Sequence, residues 1–127
     1  MLKDADLTGN IIAAAIAVHK ELGPGYIESI YEEALCIELE ARAVPFARQL
    51  PVEITYRGKR VGEHRLDILV AERAVVELKA IQALENIHFA VTRSYMKALN
   101  TDCGLLLNFA TMPLTVKRVG REYVSDS

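Results

Sequence analysis

The sequence predicts an α/β or α+β domain in which a mixed central β-sheet is flanked by helices, with the element order ααβββαββ. Three observations predict this class. Apolar residues recur at helical spacing in the first third of the chain, they alternate from about Phe46, and a later helical pattern separates two apolar strand patterns. The 127 residues, 51% hydrophobic and 25% charged, match one globular domain spanning 1–127.

Two helices are expected at about 7–43. Asp6 or Thr8 can cap the first, and Gly23-Pro24-Gly25 ends it because glycine adopts the left-handed stop and proline cannot continue a helix. Its apolar stripe is Leu7, Ile11, Ala15, Val18 and Leu22. The second helix ends before Pro45. Its predicted buried stripe is Ile27, Ile30, Ala34, Ile37 and Ala41, and its predicted outer face carries Glu32, Glu33, Glu38 and Glu40.

The sheet and its crossover helix are expected at about 46–119. Residues 51–56 alternate between apolar and polar, and residues 57–60 are typical of a hairpin turn. A second strand is predicted at about 61–70. After a turn at residues 71–73, residues 74–79 form a short apolar strand, so these two strands should pair as a hairpin.

Asn86 can cap the third helix, whose predicted buried side is Ile87, Val91, Ser94 or Tyr95, and Ala98. Residues 103–109 are almost continuously apolar, which is typical of a strand covered on both faces. The strands on either side of this helix should form a right-handed parallel crossover. A last strand is expected at about 114–119, followed by a polar tail at 121–127.

The charge balance limits the partners. Lys and Arg total 15 and Asp and Glu total 17, so a net charge of −2 leaves no global positive field for a polyanion. Nucleic-acid contact would need a local patch. The candidates are Arg93 and Lys97 on the third helix and Lys117 and Arg118 near the end, although each alone is ordinary solvated surface.

The two cysteines, Cys36 and Cys103, lie 67 positions apart in apolar contexts and fit buried free thiols better than a zinc site or a disulfide framework. The N-terminal segment does not resemble a signal peptide, and the apolar run at residues 11–18 is too short to span a membrane. We therefore expect a cytoplasmic protein with no membrane partner.

Three residues on the predicted hairpin carry candidate chemistry. Glu77 and Lys79 are two positions apart on a short apolar strand and so share one face. Asp67 is flanked by apolar residues on the preceding strand, where it would face the Glu77 region. A plain ion pair is the alternative, and it predicts that Glu77→Gln mainly changes stability. Charges on a central strand, however, need a partner or a metal.

Two carboxylates in a groove of low dielectric constant repel each other unless a cation neutralises them. Mg²⁺ suits this arrangement because it takes few protein carboxylates and keeps waters, and Mn²⁺ is the substitute. The pattern indicates metal-assisted phosphodiester hydrolysis, with Asp67, Glu77 and Lys79 as the catalytic residues.

Glu28 is predicted in the first turn of the second helix, where the helix dipole favours a carboxylate, and Tyr31 lies three positions later on the same face. On spacing alone, these are a dipole-complementing acid and a half-buried tyrosine.

The spacing Gly25-x-x-Glu28-x-x-Tyr31 resembles the signature of the small GxxExxY proteins of the PD-(D/E)xK nuclease-like superfamily. The resemblance covers about residues 11–119. Its further matches are Arg65-x-Asp67, Val76-Glu77-Leu78-Lys79-Ala80, Ile87-His88, Ser94-Tyr95-x-Lys97, Gly104 to Phe109 and Lys117-Arg118.

The resemblance implies a restriction-endonuclease-like core with a four-stranded mixed sheet. It also implies a metal bound by Glu28, Asp67 and Glu77, with Lys79 as the lysine of the (D/E)xK motif, and nucleic acid, DNA before RNA, as the substrate. Further residues expected around the site are Tyr31, Arg65, His88, Tyr95 and Asn108.

One position departs from the family pattern. Related sequences usually have a Gln one turn before the Tyr of the third helix, and this chain has Val91. Val can neither orient a water nor bond a phosphate. A nuclease-like binding or assembly module without turnover is therefore the second hypothesis, and a homodimer is compatible with either because so small a chain grips a duplex poorly alone.

Overall fold

The computed structural model describes residues 4–121, so the predicted polar tail lies almost wholly outside the described residues. Three helices and five strands follow one another in the predicted order. They are α1 (Asp4–Leu22), α2 (Glu28–Ala41), β1 (Phe46–Tyr56), β2 (Lys59–Val70), β3 (Ala74–Lys79), α3 (Asn86–Ala98), β4 (Cys103–Asn108) and β5 (Thr115–Val119). This architecture is a mixed α+β fold, and it is consistent with a restriction-endonuclease-like core.

One mixed sheet forms the centre of the molecule, in the spatial order β1-β2-β3-β4-β5. The β1–β2, β2–β3 and β4–β5 pairs are antiparallel, whereas β3 and β4 are parallel and are joined through α3. The predicted hairpin and parallel crossover are confirmed. The sheet has five strands, one more than the resemblance implies.

Two apolar layers hold the helices on the sheet. Helices α1 and α2 pack on one face against residues such as Val76, Leu78 and Leu107. Helix α3 packs on the other face, where Tyr95 and Met96 meet strand residues such as Val75 and Leu106. Because β3 and β4 lie between these layers, every residue of β4 and all but the last residue of β3 are buried.

The predicted stripe of α1 is correct, since Leu7, Ile11, Ala15 and Val18 are buried, but the stripe of α2 is wrong. Helix α2 buries Tyr31, Glu32, Leu35, Cys36 and Leu39 instead. The predicted isoleucines face outward, and Ile27 and Ile37 are 67% and 63% exposed. Glu32, assigned to the acidic outer face, is buried.

The ends and the buried side of α3 also differ from prediction. Its N-cap is Glu85, one residue before Asn86, and its buried residues are Thr92, Tyr95 and Met96. Val91 is half-buried and Ile87 is exposed. The two cysteines are free and buried, as predicted. No helix in the described part of the chain is both long enough and apolar enough to cross a membrane.

Candidate active site

Asp67 on β2 and Glu77 on β3 lie side by side where these two strands stop pairing. The β2–β3 pairing ends at Ile68 and Val76. In the next position, the backbone N–H of Asp67 donates to Oε2 of Glu77 at 2.9 Å, and the N–H of Leu78 donates to Oδ2 of Asp67 at 2.9 Å. Each carboxylate therefore binds a backbone N–H of the other strand, which fixes both side chains against each other.

The two carboxylates share a poorly solvated environment. Burial, and then the negative charge of Asp67, raise the pKa of Glu77 to about 8, although the Asp67 N–H and the charge of Lys79 oppose the shift. Burial also raises the pKa of Asp67 against the opposing hydrogen bond from Leu78, and the charges of Glu32 and Glu28 add to the increase. A proton on Glu77 or a bound cation would relieve the repulsion between these groups.

Lys79 ends β3 and is half-buried. Its ammonium charge lowers the pKa of both Asp67 and Glu77, so it lies within electrostatic range of the pair. Glu77 and Lys79 share a face of the strand because they are two positions apart. The backbone of Lys79 is anchored by the N–H of Phe109, which donates to its carbonyl at 2.8 Å.

Glu28 lies at the margin of this pair. It is the first residue of α2 and is exposed, and its charge raises the pKa of Asp67 and Glu77. Within residues 4–121, no three His, Cys, Asp or Glu side chains gather as a group that could hold a metal ion. The structure thus brings together two of the three acids expected to bind metal, with the third at longer range.

Tyr95 of α3 contacts the backbone of β2 close to the pair. The buried Tyr95 hydroxyl donates to the backbone carbonyl of Arg65 at 2.9 Å, two residues before Asp67. Burial, followed by the charges of Glu77 and Asp67, raises the pKa of Tyr95 to about 12. The Arg65 side chain is exposed and donates through Nη1 to the carbonyl of Gln49 at 3.0 Å.

Three other expected residues make their hydrogen bonds away from the carboxylates. Tyr31 is fully buried, and its hydroxyl donates to the Gly23 carbonyl at 2.6 Å in the loop between α1 and α2. His88 accepts the N–H of Glu85 at 2.8 Å and so helps to cap α3. Asn108 bonds both the N–H and the carbonyl of Ile81, which fixes the loop that follows β3.

The basic residues proposed for nucleic-acid contact lie on α3 and β5. Lys97 on α3 is exposed and Arg93 is half-buried. Lys117 and Arg118 are both exposed on β5. Because they are adjacent in a strand, their side chains point to opposite faces of the sheet.

The sequence reasoning missed a polar cluster beside Asp67. It consists of Glu32 on α2 and Arg48 and Gln49 on β1. Arg48 donates to Oε2 of Glu32 through Nη2 at 3.0 Å, and Gln49 donates to Oε1 through Nε2 at 2.8 Å. The sequence did contain a clue to this cluster. Glu32 directly follows Tyr31 and lies three residues before Leu35, so it is at the edge of the face of α2 that is buried.

The Asp67–Glu77 pair fits a hard divalent cation. Its donors are carboxylate oxygens, and Mg²⁺ usually binds proteins through one or two carboxylates while it keeps several waters. The raised pKa of Glu77 reports a place where negative charge lacks compensation. Two acids in this environment suffice for such an ion, with Glu28 near enough to add a long-range negative charge.

A protein-family model described as the PD-(D/E)XK nuclease superfamily matches residues 5–119. The chain belongs to this superfamily. No curated protein and no solved structure matches it significantly. In this chain, Asp67 and Glu77 lie just beyond the last β2–β3 pair, and Lys79 ends β3.

Proposed function

We propose that the chain is a metal-dependent nuclease of the GxxExxY type that hydrolyses phosphodiester bonds, in DNA before RNA. The observation that carries the proposal is the exchange of hydrogen bonds by which Asp67 and Glu77 hold each other's strands. Burial raises the pKa of both acids, so bringing two carboxylates together here has an electrostatic cost that a bound cation would offset.

In this proposal, Asp67 and Glu77 hold Mg²⁺ or Mn²⁺, and Glu28 contributes at longer range from the start of α2. The bound ion would supply an activated water and neutralise charge on the phosphate. The ammonium group of Lys79 orients that water and stabilises the negative charge that develops on the phosphate oxygens. Tyr95 supports β2 through the carbonyl of Arg65.

We propose a cytoplasmic protein with one nuclease-like domain, and its two free, buried cysteines are compatible with a reducing compartment. Arg93, Lys97, Lys117 and Arg118 would contact phosphates of the substrate. A second copy would widen the basic surface available to a duplex, since a chain with a net charge of −2 has little positive surface of its own.

Incubation of the protein with plasmid DNA, single-stranded DNA and RNA in Mg²⁺ or Mn²⁺ tests the proposal. Cleavage is expected, and Lys79→Ala should lower its rate by about a hundredfold or more because a positioned charge is lost. Glu77→Gln should abolish metal-dependent cleavage. Lys59→Ala, at an exposed position in the β1–β2 hairpin, is the matched control and should retain the rate. Cleavage that survives Glu77→Gln and Lys79→Ala would remove the assigned mechanism.

The second candidate function is a nucleic-acid binding or assembly module without turnover. Val91 favours it, because this half-buried residue replaces the Gln expected from the resemblance and cannot bond a water or a phosphate. This candidate predicts Mn²⁺ binding by calorimetry that is lost in Asp67→Asn, together with nucleic-acid binding and no cleavage. Introducing Val91→Gln should then produce or increase cleavage.

A further inference from the structure

Beside Asp67, the β1–β2 ladder is interrupted at Gln49, apart from a second irregularity between Ile54 and Thr55 near the hairpin turn. The two strands pair at Arg48–Ile68 and again at Leu50–Leu66, but Gln49 and Asp67, which stand opposite each other between these pairs, do not pair. Gln49 has a φ of 47°. This left-handed backbone is uncommon for a residue with a side chain, so the surrounding structure must hold it there.

The hydrogen bond lost at this point can be identified. The N–H of Ala71 donates to the carbonyl of Pro45 at 2.7 Å. In an antiparallel ladder, the N–H groups of every second residue point towards the same neighbouring strand. Asp67 lies four residues before Ala71, so in an uninterrupted ladder its N–H would also point towards β1 and would donate to the carbonyl of Gln49. It donates to the carboxylate of Glu77 instead.

The carbonyl of Gln49 has a replacement donor. Nη1 of Arg65 donates to it at 3.0 Å, so both the Gln49 carbonyl and the Asp67 N–H keep a hydrogen bond. Without that replacement, the freed carbonyl would compete with Glu77 for the N–H of Asp67.

The Gln49 side chain is also held. Its Nε2 donates to Oε1 of Glu32 at 2.8 Å, while Arg48 satisfies the other oxygen of the same carboxylate at 3.0 Å. Glu32 is only 8% exposed, and the rigid core of α2 fixes its position. Glu32 is also close enough to Asp67 for its charge to raise the pKa of that residue.

We propose that Gln49 is a positioning residue whose left-handed backbone turns β1 away from Asp67 and thereby releases the Asp67 N–H to fix the Glu77 carboxylate. The bond to Glu32 offsets the cost of this backbone for a residue with a side chain, a cost that glycine does not carry. Gln49 touches neither the ion nor the substrate in this scheme. It acts through Asp67, and its consequence for metal affinity rests on the proposed function.

Two substitutions separate the backbone conformation from the side chain. Gln49→Val disfavours the left-handed backbone and removes the bond to Glu32, whereas Gln49→Gly keeps that backbone accessible. Glu33→Gln is the control, because Glu33 bonds Arg48 as Glu32 does and does not bond Gln49. Thermal melting verifies folding, which Gln49→Val should preserve because Gln49 is exposed on the edge strand.

The first measurement is the NMR resonance of the Asp67 amide proton at pH 9, above the pKa of about 8 to which burial raises Glu77. Glu77→Gln should move this resonance strongly upfield in the wild-type, Glu33→Gln and Gln49→Gly backgrounds, because a charged acceptor becomes neutral. In the Gln49→Val background the shift should be less than half as large. The proposal would be overturned if Glu77→Gln produced the same shift in the Gln49→Val background as in wild type. It would also be overturned if the shift were as small in the Gln49→Gly background as in Gln49→Val.

The second measurement is Mn²⁺ affinity by calorimetry. Gln49→Val should weaken it by about tenfold, the usual effect of removing a group that orients a metal ligand, and Gln49→Gly should stay within about threefold of wild type. Undiminished affinity in Gln49→Val counts against the proposal. If wild type binds no Mn²⁺, the proposed function fails, while the amide resonance still decides the role of Gln49. Should Gln49→Val not fold, Arg65→Met, which removes the donor to the Gln49 carbonyl, should diminish the same shift.

Discussion

At the scale of single residues, Glu77 carries the largest electrostatic cost in the site. Its side chain is 5% exposed, and burial followed by the charge of Asp67 raises its pKa from 4.5 to about 8. Folding therefore favours the protonated form. The sign follows from linkage, since the folded state holds more protons than the unfolded chain between these two pKa values. The metal-free protein should be most stable below about pH 4.5 with respect to this group and lose that stability as the pH rises towards 8.

Glu77→Gln should remove this dependence. At pH 8.5 the variant should be more stable than wild type by on the order of a few kcal/mol, because no charge is buried, and at pH 5 the two should be similar. Urea unfolding at both pH values measures the difference. Glu53→Gln, an exposed acid on β1, is the control and should change little. A loss of stability in Glu77→Gln at both pH values would contradict this reading of the site.

Tyr31 fixes the loop that precedes Glu28 and makes its hydrogen bonds away from Asp67 and Glu77. Its ring stacks on Phe109 with centroids 4.6 Å apart, and its hydroxyl bonds the Gly23 carbonyl and accepts the N–H of Tyr26. These bonds fix the loop from which α2 begins, and α2 begins at Glu28. The Tyr of the Gly-x-x-Glu-x-x-Tyr pattern thus holds the start of the helix that carries the Glu.

Tyr31→Phe keeps the ring and removes only the hydroxyl. It should lower the free energy of unfolding by about 1–3 kcal/mol, because the half-buried Gly23 carbonyl loses its donor and the Tyr26 N–H loses its acceptor. Urea denaturation gives the value. Tyr56→Phe, at an exposed position, should stay within about 0.5 kcal/mol of wild type. A change in Tyr31→Phe as small as in this control would show that the loop does not depend on the hydroxyl.

At the scale of elements, helix α2 carries two apolar stripes, and only one can face the sheet. One contains Ile27, Ile30 and Ile37, and the other contains Tyr31, Leu35 and Leu39. The second is buried because its aromatic ring reaches Phe109 and its leucines fill the layer below α1. The rotation also carries Glu32 inward to meet Arg48 and Gln49.

A pair of alanine substitutions tests this orientation. Leu35→Ala should cost about 2–5 kcal/mol of stability, since Leu35 is fully buried and its removal leaves a cavity. Ile37→Ala, at a position that is 63% exposed, should change stability by no more than about 0.5 kcal/mol. Chemical denaturation of both variants provides the comparison. Equal losses would mean that α2 is turned towards the other stripe.

Some of the elements could be predicted from the sequence, whereas the buried face of α2 could not. The stripe of α1 was predictable because Leu7, Ile11, Ala15, Val18 and Leu22 recur at helical spacing. Strand β4 was predictable because its residues are apolar on both faces. Periodicity alone could not choose between the two stripes of α2. The proximity of Asp67 and Glu77 followed from the short turn between their strands.

The cluster around Gln49 could not be predicted in the same way. Its members come from α2 and from β1, the next element along the chain, and its decisive feature is a left-handed backbone at a residue other than glycine. No local pattern specifies such a conformation, because it depends on a side-chain bond to Glu32 that exists only after α2 has packed on the sheet.

At the scale of the whole molecule, β2 and β3 stop pairing at one end while helices cover both faces of the sheet, and the candidate site lies where the pairing stops. Strand β3 is buried between the layers until its last residue, so the chain can expose Lys79 only there. An acidic pair in a protein of net charge −2 would repel a polyanionic substrate. Productive binding of nucleic acid should therefore depend on prior neutralisation of the pair by a cation.

The need for a cation at the Asp67–Glu77 pair predicts that the effect of Mg²⁺ on the Tm depends on pH. To bind Mg²⁺, Glu77 must lose a proton that it holds below a pKa of about 8, so the ion should bind more tightly at pH 8.5 than at pH 6. A ligand that binds only the folded state stabilises it by about 2.7 kcal/mol when the ligand concentration is one hundred times the Kd. Mg²⁺ should therefore raise the Tm by several degrees at pH 8.5 and by much less at pH 6. Thermal melting with and without roughly 10 mM Mg²⁺ measures the increase in Tm at each pH. Asp67→Asn should abolish both increases. An increase that is equal at the two pH values, or one that persists in Asp67→Asn, would place the ion elsewhere on the protein and leave the Asp67–Glu77 pair as a proton-sharing structural contact.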